Sequence, residues 1–385
     1  MIDWMRCGEL PAKPHTAFRS ASGALRYEEC LTRRGFDGEF SILYHEGPPM
    51  TDTRISPATI GRFDRQVGAL APRQPLKRRL VLGEKAPDGF TPILKNEDVV
   101  VSLFKLPKEA ATEDGFSNGD GDELFFFHEG EGTLESPFGD LAIRSGDYVL
   151  VPRGVIHRVR ISSPFEGILF ELRGGLHLPR EFRNPVGQLR MDAPYTHRDF
   201  VRPVFTGPRP GPSRILVKKD DEFVERFPAA SPFDVVGWDG TVWPFAFDIL
   251  KYQPKTGLVH LPPTIHSTFA GRNALVCSFV PRVTDTHADA IPCPYPHTSV
   301  DCDEIIYYVR GNFTSRRGVG AKAVSLHPAG VPHGPHPGAY EGSIGTRSTD
   351  ELAVMMDTFL PLHLTAQALA LESPGYHESW NDGAP

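Results

Sequence analysis

Cysteine is scarce in this chain. Five occur in 385 residues (Cys7, Cys30, Cys277, Cys293, Cys302), widely spaced and with no CxxC pair. An odd number without close pairs predicts reduced thiols in a reducing compartment, not a disulfide framework. Long apolar runs are missing too. No stretch of 18 apolar residues exists to span a bilayer, and Met1–Arg6 lacks the apolar core of a signal peptide, so a cytoplasmic protein with no membrane partner is expected. Positive charge is in the minority: 41 Lys and Arg stand against 48 Asp and Glu, a net charge of -7. No basic stretch is long enough to track a phosphate backbone, which argues against nucleic-acid binding.

Glycine and proline, by contrast, are plentiful at 37 each, and 40% of residues are hydrophobic. That composition favours many short strands joined by turns around a sizeable core, an all-β chain with few helices. One helix is predicted over 364–371, with Thr365 as its N-cap and Ala and Leu as strong helix formers. Two segments repeat one plan. Glu123 opens the apolar run Leu124–Phe127, Gly130 follows, and Pro152-Arg153-Gly154-Val155-Ile156-His157 comes later. Glu304 opens Ile305–Val309, Gly311 follows at the same distance, and Pro328-Ala329-Gly330-Val331-Pro332-His333 comes later. This is an internal duplication of two small double-sheet jelly-roll barrels. The Pro- and Gly-rich stretch 202–212 reads as a linker, which divides the chain into 1–205 and 206–385. Irregular but moderately apolar segments such as 59–64 and 75–80 suit packing on a neighbouring subunit, so a homo-oligomer is expected.

The chemistry concentrates in the second half. His297, Glu304 and His333 supply two imidazoles and one carboxylate, the ligand set of open non-haem Fe(II) sites, which holds one face of an octahedron and leaves the other for substrate and O2. A carboxylate at the mouth of the run Ile305–Val309 is costly to desolvate unless it is paired or metal-bound. Asp301 and Asp303 compete with Glu304 for the carboxylate role. Cys302 is either a thiolate ligand or, more commonly for a free cysteine, a buried small hydrophobe.

These residues resemble the two motifs of cupin domains, G-x5-H-x-H-x(3,4)-E-x6-G and G-x5-P-x-G-x2-H. The resemblance implies a two-barrel cupin, with Ser299 replacing the second histidine of the first motif. In the first half Phe116 and Asn118 occupy both histidine positions, so only Glu123 and His157 remain; that half is read as metal-free and His157 as a corner-packing or surface histidine. His327 is either a strand histidine facing a loop or a hydrogen-bonding partner of a ligand or substrate oxygen. His336 follows His333 too closely to share its geometry and is expected at the surface.

Over nearly its whole length the chain also resembles the homogentisate 1,2-dioxygenases, in particular the shorter bacterial forms. The similarity lies in Gly8–Arg19 and Gly35–His45, in Phe279-Val280-Pro281-Arg282, in the stretch from His297 to Glu304, and in Ser325-Leu326-His327 with Pro332-His333-Gly334-Pro335. It implies Fe(II) on His297, Glu304 and His333, and opening of homogentisate by O2 to maleylacetoacetate in tyrosine and phenylalanine breakdown. His260, in His260-Leu261-Pro262-Pro263-Thr264-Ile265, matches the family's acid/base histidine, with His266 the nearby alternative. A tyrosine of the animal-type enzymes falls on Phe313, and Tyr307 or Tyr308 is expected to supply that hydrogen bond to substrate instead. Two other readings stay open: a dioxygenase for another para-diphenol such as gentisate or an alkylhydroquinone, and a non-oxidative metal cupin, either an isomerase or a binding protein.

Overall fold

A computed structural model describes residues 3–381, except 59, 61–62, 64–73, 84–85, 258–262 and 314–317. Strands dominate it, and among the described residues only two short α-helices occur, Ala339–Gly342 and Ala366–Leu371. The second is the predicted one, and the Thr365 side chain accepts a hydrogen bond from the Ala368 amide as its cap.

Two barrels form. In the first, the long strands Asp122–Ser136 and Arg158–Leu172 pair antiparallel, flanked by Asp147–Val151 and Val99–Leu106. A four-stranded sheet closes the other side with Gly115–Asn118, Ile215–Lys219, Glu222–Pro228 and Asp52–Pro57. The second barrel is built on Ala274–Phe279, Leu352–Thr358, Asp303–Arg310 and Val324–His327, neighbours in a seven-stranded sheet. This is the all-β, two-barrel cupin architecture.

Strand alternation decides what each face does. Ile305, Tyr307 and Val309 point into the apolar core shared by both barrels, where Tyr307 meets Phe126 at 6.2 Å and Tyr148 meets Phe269 at 5.5 Å. Glu304, Ile306 and Tyr308 turn the other way, into the second barrel. The duplicated glycine has a local cause. Gly130 (φ +109°) and Gly311 (φ +97°) lie beside register shifts in their strands, and a Cβ on either would come within 2.5 Å of a backbone oxygen, that of Pro164 or Asp350.

Strand pairing crosses the expected boundary near 205. Ile215–Lys219 pairs parallel with Gly115–Asn118, Val235–Gly240 pairs with Phe40–His45, and Phe245–Asp248 pairs with Asp147–Val151. Strands are also exchanged: Leu80–Leu82 joins Val324–His327, and His363–Leu364 joins Gly89–Lys95. A proline-rich stretch marks a turn, but not whose sheet the next strand completes. The five cysteines are all free thiols.

Candidate metal centre

Three side chains from three places in the sequence meet inside the second barrel. His297 lies on the loop before strand Asp303–Arg310, Glu304 near the start of that strand, and His333 on the Pro/Gly corner after strand Val324–His327. Ligand atoms of the three lie within 4.8 Å of one another. The loops are locked together by a reciprocal backbone pair, His297 N–H to His333 O at 2.8 Å and His333 N–H to His297 O at 2.9 Å.

Each imidazole is aimed by its own loop. Nδ1 of His297 faces the Tyr295 carbonyl at 3.2 Å and Nδ1 of His333 faces that of Val331 at 3.1 Å. With Nδ1 carrying the proton toward a carbonyl, Nε2 is the lone-pair nitrogen, which is how metal-binding histidines are commonly oriented. Nε2 of His333 is buried with no hydrogen-bond partner among the described residues, 3.7 Å from Glu304 Oε1. A buried imidazole nitrogen that faces a carboxylate is suited to share a cation with it. The donor set and its attitude therefore fit a divalent metal.

His327 completes the cluster. It is fully buried, stacks 4.7 Å from His333 with planes 5° apart, and its Nδ1 lies 2.6 Å from Glu304 Oε1. Of its two readings, the hydrogen bond to a candidate ligand is the one observed. Burial works to raise the Glu304 carboxyl, but the His327 and His333 rings outweigh it and hold it well below the usual carboxylate range. One neighbour was not anticipated. Asp357, opposite Glu304 across the sheet, is pushed up to about 7 by burial and then by the Glu304 charge. The signal for it was present in the sequence: Asp357 interrupts the apolar strand Leu352–Thr358 much as Glu304 interrupts its own. Burial, followed by the charge of Asp357, raises the Cys302 thiol to about 11, and among the described residues the cluster that could hold a metal is His297, Glu304 and His333, without Cys302.

The remaining residues fall elsewhere. Strand alternation sends the Tyr307 ring into the inter-barrel core, where its hydroxyl meets His128 Nδ1 at 3.1 Å, on the opposite face from Glu304. Tyr308 shares the Glu304 face four residues along, about 13 Å at strand spacing. Its hydroxyl meets Ser325 Oγ at 3.0 Å, and its ring meets Phe313 edge-on at 4.5 Å. His266 is buried against Phe279 at 4.6 Å, and Phe279 lies in the cross-strand row of Ala353 and Tyr308. His260 lies outside the described residues. His336 is corrected from surface to core: it stacks on Trp380 at 3.9 Å and its Nε2 meets Ser379 Oγ at 2.8 Å.

In the first barrel His157 is buried, with its ring edge-on to Phe116 at 5.6 Å. Of the two readings made for it, this is the corner-packing one.

The fold and the trio define a bicupin with, among the described residues, one candidate metal centre. The chain belongs to the homogentisate 1,2-dioxygenase family. A family model described as homogentisate 1,2-dioxygenase N-terminal matches residues 89–249. A Saccharolobus solfataricus protein whose name assigns it provisionally to the dioxygenases is 35% identical over 99% of both chains. The homogentisate 1,2-dioxygenase of Bradyrhizobium diazoefficiens is 27% identical over 68% of this chain and 61% of its own. The chain thus aligns with somewhat under two thirds of the named homogentisate enzyme. Among solved structures, a cupin 2 conserved barrel domain protein from Leptotrichia buccalis covers 76% of this chain and 100% of itself at 11% identity and TM-score 0.34. That likeness is slight, and the fold assignment rests on the sheets themselves.

Proposed function

We propose that this protein is an Fe(II)-dependent aromatic ring-cleaving dioxygenase whose substrate is homogentisate, opened with O2 to maleylacetoacetate. The observation that carries the reading is the convergence of His297, Glu304 and His333 with both Nδ1 atoms turned to carbonyls. Iron(II) on those three residues would keep coordination positions open on one side, where a phenolic oxygen and O2 can meet. The protein's own contribution is positional. His327 holds the Glu304 carboxylate in place through its hydrogen bond. His260 is assigned the substrate hydroxyl proton, a transfer suited to an imidazole titrating near neutrality.

Phe313 favours a second reading, a dioxygenase for a para-diphenol with a less polar side chain. It presents a bare ring against Tyr308, with no hydroxyl for a carboxylate. One experiment separates the readings: load the purified protein with Fe(II) anaerobically, then follow O2 uptake with homogentisate, gentisate and an alkylhydroquinone. Fastest uptake with homogentisate is expected. Faster uptake with another diphenol would reassign the substrate, and no uptake with any of them would leave a non-oxidative cupin.

A further inference from the structure

The interior of the first barrel holds a buried polar cluster for which the dioxygenase reading has no use. It repeats the metal centre position by position. Glu123 stands seven residues after Phe116, as Glu304 does after His297, and His157 stands six after Val151, as His333 does after His327. The register agrees: Glu123 lies opposite Val151 and Glu171, Glu304 opposite His327 and Asp357, and Phe116 bridges His157 as His297 bridges His333. His157 also keeps the attitude of a ligand. Its Nδ1 faces the Val155 carbonyl at 3.2 Å and its Nε2 lies 3.6 Å from Glu123 Oε2.

Two carboxylates buried side by side repel each other, and each costs several kcal/mol to desolvate unless a cation compensates. A cation is present. Lys218 is 1% exposed, and its Nζ lies 2.5 Å from Glu171 Oε2 and 3.6 Å from Asp221 Oδ1. Asn118 joins the pair. Its Oδ1 accepts from the Asp120 and Gly121 amides, which turns Nδ2 toward Glu171 at 2.8 Å and Glu123 at 3.3 Å. Strand Ile215–Lys219 brings the lysine there by pairing Lys218 with Asn118.

We propose that the Lys218 ammonium supplies in the first barrel the positive charge that a metal supplies in the second, and that removing it uncovers a latent divalent-cation site formed by Glu123, Glu171 and His157. Two carboxylates and one imidazole suit a first-row ion such as Mn(II). With the ammonium in place, a second positive centre meets repulsion and finds Glu171 already engaged.

The test uses the full chain as wild type, Lys218→Gln and Lys218→Arg, each equilibrated with Mn(II) and counted by elemental analysis and electron paramagnetic resonance. Lys218→Gln should hold one ion more per chain than wild type, and Lys218→Arg no more than wild type. The extra ion should disappear when His157→Ala is added. The difference in count does not depend on the second barrel, because its trio is common to all the variants. A folded Lys218→Gln with no additional ion overturns the proposal, as does loss of a wild-type ion in Glu171→Gln. If Lys218→Gln is too unstable to purify, charge balance is read from thermal melting instead. Lys218→Met should melt well below wild type and recover in part when Glu171→Gln is added, and no recovery overturns the proposal.

Discussion

Glu304 is 5% exposed, and its carboxyl is held well below the usual carboxylate range against its burial, chiefly by the hydrogen bond to His327. Its replacement should therefore remove more than one donor atom. In Glu304→Ala and His333→Ala, bound iron and ring cleavage should both be lost by metal analysis and O2 uptake, whereas His157→Ala should keep both. Iron retained in Glu304→Ala would refute the carboxylate assignment. His327 acts through Glu304, so His327→Ala should weaken metal affinity by roughly 10- to 100-fold, the usual effect of removing a partner that orients a ligand. His260 should behave differently. His260→Ala should keep iron and slow turnover by about 10²- to 10⁴-fold, the range for a positioned acid or base. Loss of iron there would make His260 a ligand, and unchanged turnover would move the role to His266.

At the scale of elements, the repeated glycine and the alternation of strand Asp303–Arg310 make separate predictions. Gly311→Ala puts a Cβ against the Asp350 oxygen at positive φ and should cost about 1–3 kcal/mol, measured as a lowered urea midpoint. Tyr307→Phe removes a hydroxyl that faces His128, so it should cost about 1 kcal/mol of stability and leave ring cleavage unchanged. A large loss of activity in Tyr307→Phe would return that residue to the substrate. His45 gives a pH signature. Burial pulls its imidazole down, but hydrogen bonds to Asp234 and Glu29 prevail and raise it from 6.5 to about 9. A raised folded value means that the protonated ring stabilises the fold fully below about pH 6.5 and less and less as the pH rises through 9. Chemical denaturation across that window should show the decline in the wild type and a flatter profile in His45→Gln.

At the scale of the whole molecule, the two barrels share one apolar core and exchange strands, so unfolding should be a single cooperative transition and not two. Substrate choice also belongs to this scale, because Phe313 reaches Tyr308 from a loop. If Phe313 faces the substrate side chain, the wild type should separate homogentisate from alkylhydroquinones only weakly, and Phe313→Tyr should sharpen the preference in kcat/KM. Rejection of alkylhydroquinones by more than about a thousandfold, unchanged in Phe313→Tyr, would place the polar contacts elsewhere.

What the sequence by itself determined follows from properties carried locally. Composition set the all-β class, Thr365 set a helix start, and the spacings His297–Glu304 and Pro328–His333 marked the trio, because each motif lies on one strand and the turn beside it. Its duplicate showed the first barrel to lack two nitrogens. Only the tertiary structure decided which strand completes which sheet, so that strands on both sides of residue 205 share sheets. It also turned Tyr307 away from the cluster, buried His336 against Trp380, set Asp357 opposite Glu304, and brought Lys218 to the carboxylates of the first barrel. Those outcomes depend on partners far apart along the chain: pairing register and sheet closure are non-local, and no window of sequence contains both sides of the contact.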